Sequence, residues 1–108
     1  MRHAVFLTAI ALSAIVPAVS AGDAVAGRTK AAVCAACHGA DGNTPIDANT
    51  PKLAGQHEDY LVKVLRDYRS GARSNAIMGA QAGSLKDEDI DDLAAYFASQ
   101  PGDLKEIP

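Results

Sequence analysis

A chain of 108 residues with a formal charge of −3 and 48% hydrophobic side chains is long enough for one small domain. It lacks the clustered basic surplus of a nucleic-acid binder, and its two cysteines are too few for an iron–sulfur cluster, usually held by four thiolates. Aromatics make up only 5% and tryptophan is absent, so the polypeptide has little bulk with which to fill a core by itself.

Met1 to Ala21 predicts a secretory leader: Arg2 and His3 form a basic start, Ala4 to Val16 an apolar run, and Val19-Ser20-Ala21 a small-residue cleavage site. The run has 13 residues where a spanning helix needs about 20, so an anchor is not expected. Gly22, and not a cysteine, follows the cut, which leaves no lipid attachment there. The expected organisation is a signal peptide over 1–21 and one soluble, exported, periplasmic domain over 22–108. Its charge is −4, nine basic against thirteen acidic residues.

Asp23 to Val33 is alanine-rich and predicts a first helix running into Cys34-Ala35-Ala36-Cys37-His38. Gly39 to Pro51, with Asp41-Gly42-Asn43 and Thr44-Pro45, reads as a loop. Tyr60, Leu61, Val64, Leu65 and Tyr68 recur at helical spacing from about Glu58 to Arg69, and Ser70-Gly71 ends that helix. Ala72 to Gly83 is expected to be a second loop, carrying Met78. Ile90, Leu93, Ala94 and Phe97 line a closing helix that Pro101-Gly102 terminates, with Asp87, Glu88 and Asp89 in its first turn, where the helix dipole favours negative charge. No strand pattern competes, so the fold class is all-α. Lys52, Lys63, Arg66, Arg69 and Arg73 lie mid-chain, whereas Asp87, Glu88, Asp89, Asp91 and Asp92 crowd one late segment. That layout predicts a solvated face plus a helix start, or a dipole that orients encounter with a charged partner.

The spacing Cys34-x-x-Cys37-His38 is that of a covalent c-type haem attachment site. One turn of backbone can present both thiols to the two vinyl groups of a porphyrin, and the next residue, His38, then lies beneath the iron as its proximal ligand. Two rivals use the same residues. A zinc site from Cys34, Cys37, His38 and His57 has ligands enough but lacks the repeated second pair usual in structural sites. A thioredoxin-like dithiol would need a βαβ context, which the flanking sequence does not offer. A tethered, flat, apolar macrocycle would also supply the core volume that the side chains lack, so the haem-free polypeptide is expected to be largely unfolded.

The opposite axial position falls to Met78, 40 residues after His38 and the one methionine beyond the leader. Its neighbour Gly79 lets backbone approach a ligand closely. A lone methionine is more commonly a core filler, and His57, beside Glu58 and Asp59 at a helix start, is the other candidate; an open site is the third possibility. Histidine–methionine ligation raises the reduction potential and leaves no vacant position on the iron. The expected function is therefore exchange of single electrons, with no catalytic residues and no enzymatic turnover.

The ordered series Cys34-Ala-Ala-Cys-His-Gly-Ala-Asp-Gly, Pro51-Lys-Leu-Ala-Gly-Gln, Tyr60-Leu through Gly71-Ala-Arg to Met78, and Asp89-Ile-Asp-Asp-Leu-Ala-Ala-Tyr-Phe resembles the class I c-type cytochromes of the bacterial c4 and c553 type. The resemblance implies a cytochrome c fold around one covalent haem c with iron, in which the first and last helices cross and Gly27 permits close approach to Leu93 and Tyr96. It implies that the Pro51 carbonyl accepts a hydrogen bond from the free ring N–H of His38, that Leu53 packs on the haem and that Asn75 bonds near the Met78 sulfur. It implies transient contacts with redox protein donors and acceptors, and a monomer. Alternatives of other classes are a haem module that senses a gas ligand, an accessory subunit of an oxidase or dehydrogenase, and a dithiol oxidoreductase. Two features depart from the family: c4 proteins carry two haem domains whereas this chain has a single Cys-x-x-Cys-His, and Lys86 replaces the small cap before the last helix, so Ser84 is expected to cap there, with Asp87 three residues on.

Overall fold

The computed structural model describes residues 2–11, 22–102 and 104. Residues 2–11 are exposed and without regular secondary structure, while Val19-Ser20-Ala21 lie outside the described residues. No helix among the described residues is long and apolar enough to cross a membrane.

Asp23 opens the first helix by accepting hydrogen bonds from the amides of Val25 and Ala26 at 2.9 and 3.2 Å, which satisfies donors that have no partner inside a helix. Helix α1 runs over Ala24–Lys30 and tightens into a 3₁₀ turn at Ala31–Val33. A one-turn helix α2, Ala35–His38, follows directly, and Gly39 at φ +87° breaks it. Helix α3 spans Glu58–Ser70 and ends on the left-handed Gly71 at φ +85°, a backbone state that costs glycine little. Leu61 is buried on its inner face, but Tyr60 leaves that face and is 45% exposed.

One expected loop is a helix. Ala76–Gly83 forms α4, capped by Asn75, whose Oδ1 accepts from the amides of Ile77 and Met78 at 3.0 and 2.9 Å. Met78 therefore sits in the first turn of a helix and not in a loop. Two glycines and the lack of an amphipathic stripe in Ala-Ile-Met-Gly-Ala-Gln-Ala-Gly hide this helix, because glycine weakens propensity and little of its surface needs burying.

Helix α5, Asp87–Ser99, is the spine of the molecule: Ile90 and every residue from Asp92 to Ala98 are buried. Its N-cap is Lys86 and not Ser84. The Lys86 amide donates to Asp89 Oδ2 at 2.9 Å, the backbone half of a capping box, while Ser84 instead ends α4 and donates its hydroxyl to Gln81 O at 3.3 Å. Because a carboxylate three residues into the helix supplies the capping contact, the cap residue itself is free to be a lysine.

Helices α1 and α5 pack directly. At Gly27 an added Cβ would lie 1.9 Å from the Asp92 carbonyl oxygen and 2.8 Å from Tyr96 Cβ, so only glycine allows the two backbones this approach. The contact is with Asp92 and Tyr96. Asp92, only 4% exposed, accepts from the Asp23 amide at 2.8 Å and from Lys30 Nζ at 2.6 Å, and Lys30 also pairs with Asp89 at 2.9 Å. Hydrogen bonds from Lys30 and the Asp23 amide hold the Asp92 carboxyl below its usual range. Arg69 pairs with Asp87 at 2.7 Å and Arg66 with Asp91 at 3.8 Å. The acids that cluster in the sequence are thus largely matched by α1 and α3 cations across helix interfaces, and do not form one free acidic face.

Candidate haem site

Three of the expected site residues are adjacent by covalent structure. The 3₁₀ turn delivers Cys34, the one-turn α2 brings Cys37 and His38 round behind it, and the Cys37 and His38 amides both donate to Cys34 O, at 3.3 and 3.0 Å. Both thiols are half-buried, and they do not form a disulfide with each other. Burial pushes the Cys34 thiol above its ordinary pKa, and the neighbouring Cys37 adds to the rise.

His38 is 5% exposed, and its Nδ1 lies 2.8 Å from the carbonyl oxygen of Pro51. A carbonyl only accepts, so Nδ1 carries the proton and donates. The tautomer is thereby fixed, with the Nε2 lone pair available. Nε2 makes no hydrogen bond among the described residues, and none of their side-chain polar atoms is both sealed from solvent and unpartnered, so Nε2 opens to accessible surface. A ligating histidine needs this arrangement: one nitrogen tethered to a protein acceptor, the other presented to a metal.

The loops on either side of that bond are cross-linked. Gly42, at φ +77°, accepts from the amides of Leu53 and Ala54 at 2.7 and 3.2 Å, and Ile46 donates to Cys37 O at 2.9 Å. Leu53 is half-buried and packs on the core, as do Cys34, Val62, Leu65 and Leu85. Met78 is half-buried in α4, which packs on α3, and its amide is held by Asn75. Asn75 thus acts on Met78 through the backbone. His57 is exposed at the start of α3 and caps nothing with its ring. Gly42, Tyr96 and Phe97, which secure the His38 and Pro51 loops, have no marker in the sequence beyond a turn glycine and two core aromatics.

The family model for cytochrome c matches residues 24–101. The chain belongs to the cytochrome c family. Cytochrome c4 of Pseudomonas aeruginosa is 57% identical over 81 residues, 75% of this chain and 40% of that protein. Cytochrome c-554(548) of Halomonas halodenitrificans is 47% identical over 85 residues, 74% of this chain and 99% of that protein. Among solved structures, reduced recombinant cytochrome c4 from Pseudomonas stutzeri is similar with a TM-score of 0.71 at 47% identity, over 76% of this chain and 47% of that one. The chain therefore spans about 40% of the first of these relatives and nearly all of the second. Membership in the cytochrome c family implies a covalently bound haem c. The residues fit such a group: two half-buried thiols, a buried imidazole whose Nδ1 is tied to Pro51 and whose Nε2 makes no hydrogen bond among the described residues, and partly buried apolar side chains, Leu53 and Leu65 among them, packed with Cys34 on the core.

Proposed function

We propose that this chain is an exported carrier of single electrons, in which Cys34 and Cys37 would hold one haem c covalently and His38 Nε2 and the Met78 sulfur would bind its iron. When bound, the haem supplies a metal that gains and loses one electron without making or breaking bonds to a substrate. The protein's part is to hold and insulate it. Pro51 fixes the His38 tautomer through the 2.8 Å contact, which is the observation that carries this reading. Asn75 fixes the backbone from which Met78 extends, and Leu53 would pack on the haem. Residues 1–21 would be removed on export, leaving a periplasmic monomer of residues 22–108 that meets redox protein donors and acceptors transiently and turns over no substrate of its own.

The deciding experiment is production in a host competent in cytochrome maturation, followed by intact mass and a visible spectrum of the reduced protein. The expected result is a mass starting at Gly22 plus one haem that acidified organic solvent does not extract; colourless protein refutes the assignment. Met78→Ala in that holoprotein is expected to lower the potential and open the iron to carbon monoxide. If neither changes, the sulfur is not a ligand.

A further inference from the structure

The two loops that bring His38 and Pro51 together are both fastened to the last turn of α5. Tyr96, 8% exposed, donates its hydroxyl to Ala40 O at 2.9 Å, two residues after His38. One residue further along α5, Phe97 accepts at its carbonyl from the Gly55 amide at 2.9 Å, four residues after Pro51. The Phe97 ring also fills the space over Gly42, where an added Cβ would lie 2.7 Å from Phe97 Cδ1. Gly42 O in turn binds the Leu53 and Ala54 amides. The loops thus form a closed circuit: Tyr96 to Ala40, Gly42 to Leu53, Gly55 to Phe97, with the His38–Pro51 bond spanning its interior.

We infer that Tyr96 and Phe97 are positioning residues that set the length of the His38 Nδ1–Pro51 hydrogen bond, and through it the donor strength of the His38 ligand. This rests on the reading of His38 as the haem ligand. A carbonyl that accepts strongly from Nδ1 makes the imidazole more basic at Nε2 and favours the more positive, oxidised metal. Loosening the Ala40 attachment lets the His38 loop drift from Pro51, weakens that donor and raises the potential. Tyr96 acts through two backbone carbonyls, those of Ala40 and Pro51.

The test is Tyr96→Phe in the haem-loaded protein, which keeps the ring and removes only the hydroxyl. Expected are a higher midpoint potential and roughly fivefold faster hydrogen exchange of the His38 Nδ1 proton, the scale on which one lost intramolecular hydrogen bond acts. Asp92→Asn serves as the control, because it weakens the α1–α5 contact without touching either loop and should lower the melting temperature while leaving both readouts in place. If Tyr96→Phe fails to fold, Phe97→Leu replaces it with the same readouts. A folded variant with unchanged potential and unchanged exchange overturns the inference, as does an equal shift in the control. Failure of the underlying functional reading looks different: the wild-type protein itself carries no haem.

Discussion

The α1–α5 crossing and the α4 segment are built to different standards. At the crossing, backbones meet at Gly27 with no space for a methyl group, Asp92 is buried on two partners, and α5 carries the two largest fully buried side chains, Ile90 and Leu93. Helix α4 buries only Ala82, leaves Ile77 68% exposed and Met78 half-covered, and its register depends on the Asn75 cap. One side is closed by the protein's own atoms. The other leaves apolar side chains, Ile77 and Met78, largely or partly uncovered. The difference teaches where the polypeptide supplies its own packing, and on the proposed reading the haem would complete the other side.

The sharpest way to break that contrast is to remove the anchors. Cys34→Ser with Cys37→Ser is expected to abolish haem retention and, with it, near-UV dichroism and cooperative melting; a native-like melt would mean that the crossing alone carries the fold. Next in size is Gly27→Ala, which drives a methyl group into the Asp92 carbonyl and should cost on the order of 3 kcal/mol in a denaturant titration of the holoprotein. The same substitution at the α4 glycine Gly83, where an added Cβ meets nothing within 4 Å, is expected to be neutral or mildly stabilising. Equal costs at the two glycines would erase the distinction.

A smaller effect comes from acid. Asp87, Asp89 and Asp92 all titrate below the ordinary carboxylate value in the folded chain: the Arg69 hydrogen bond lowers Asp87, the Lys86 amide and then Lys30 lower Asp89, and Lys30 and then the Asp23 amide lower Asp92. Depressed folded values mean stabilisation that is complete above about pH 4, the unfolded value, and lost as pH falls through the folded ones. Melting temperature should therefore drop below pH 4, with a shallower fall in Asp92→Asn. An unaltered slope in that variant would remove Asp92 from the account. The smallest change expected is Lys63→Ala, which deletes an exposed i,i+4 pair with Asp67 and should cost no more than about 0.5 kcal/mol.

Much of this was legible in the residues, for identifiable reasons. Cys34, Cys37 and His38 announce themselves because their spacing is that of a haem attachment motif, and α3 and α5 because each carries apolar side chains at helical period: α5 buries nearly its whole second half, and α3 buries Leu61 with Val62 and Leu65 partly covered against the core. Helix α4 was hidden because it buries almost nothing, so periodicity had nothing to report; its one local sign is the Asn75 cap. The same reasoning explains Asp92. In a run of five acids it looks like one more solvated charge, and only the approach of α1 through Gly27 turns it inward onto Lys30. Charge segregation along the chain was real, but folding pairs the segments, so the sequence overstated the free acidic surface. The Tyr96 and Phe97 attachments join loops far apart along the chain, and no local pattern encodes such a meeting.

The contacts from Asp23 and Lys30 to Asp92 join residues 69 and 62 positions apart. For an all-helical protein that is an unusual dependence on distant encounters, since most helical domains form through neighbours and fold quickly. Here the two ends must find each other across nearly the whole intervening chain before Gly27 and Asp92 stabilise anything, and that entropic cost comes first. Folding in stopped-flow experiments is therefore expected to be slower than is usual for a helical domain of this size.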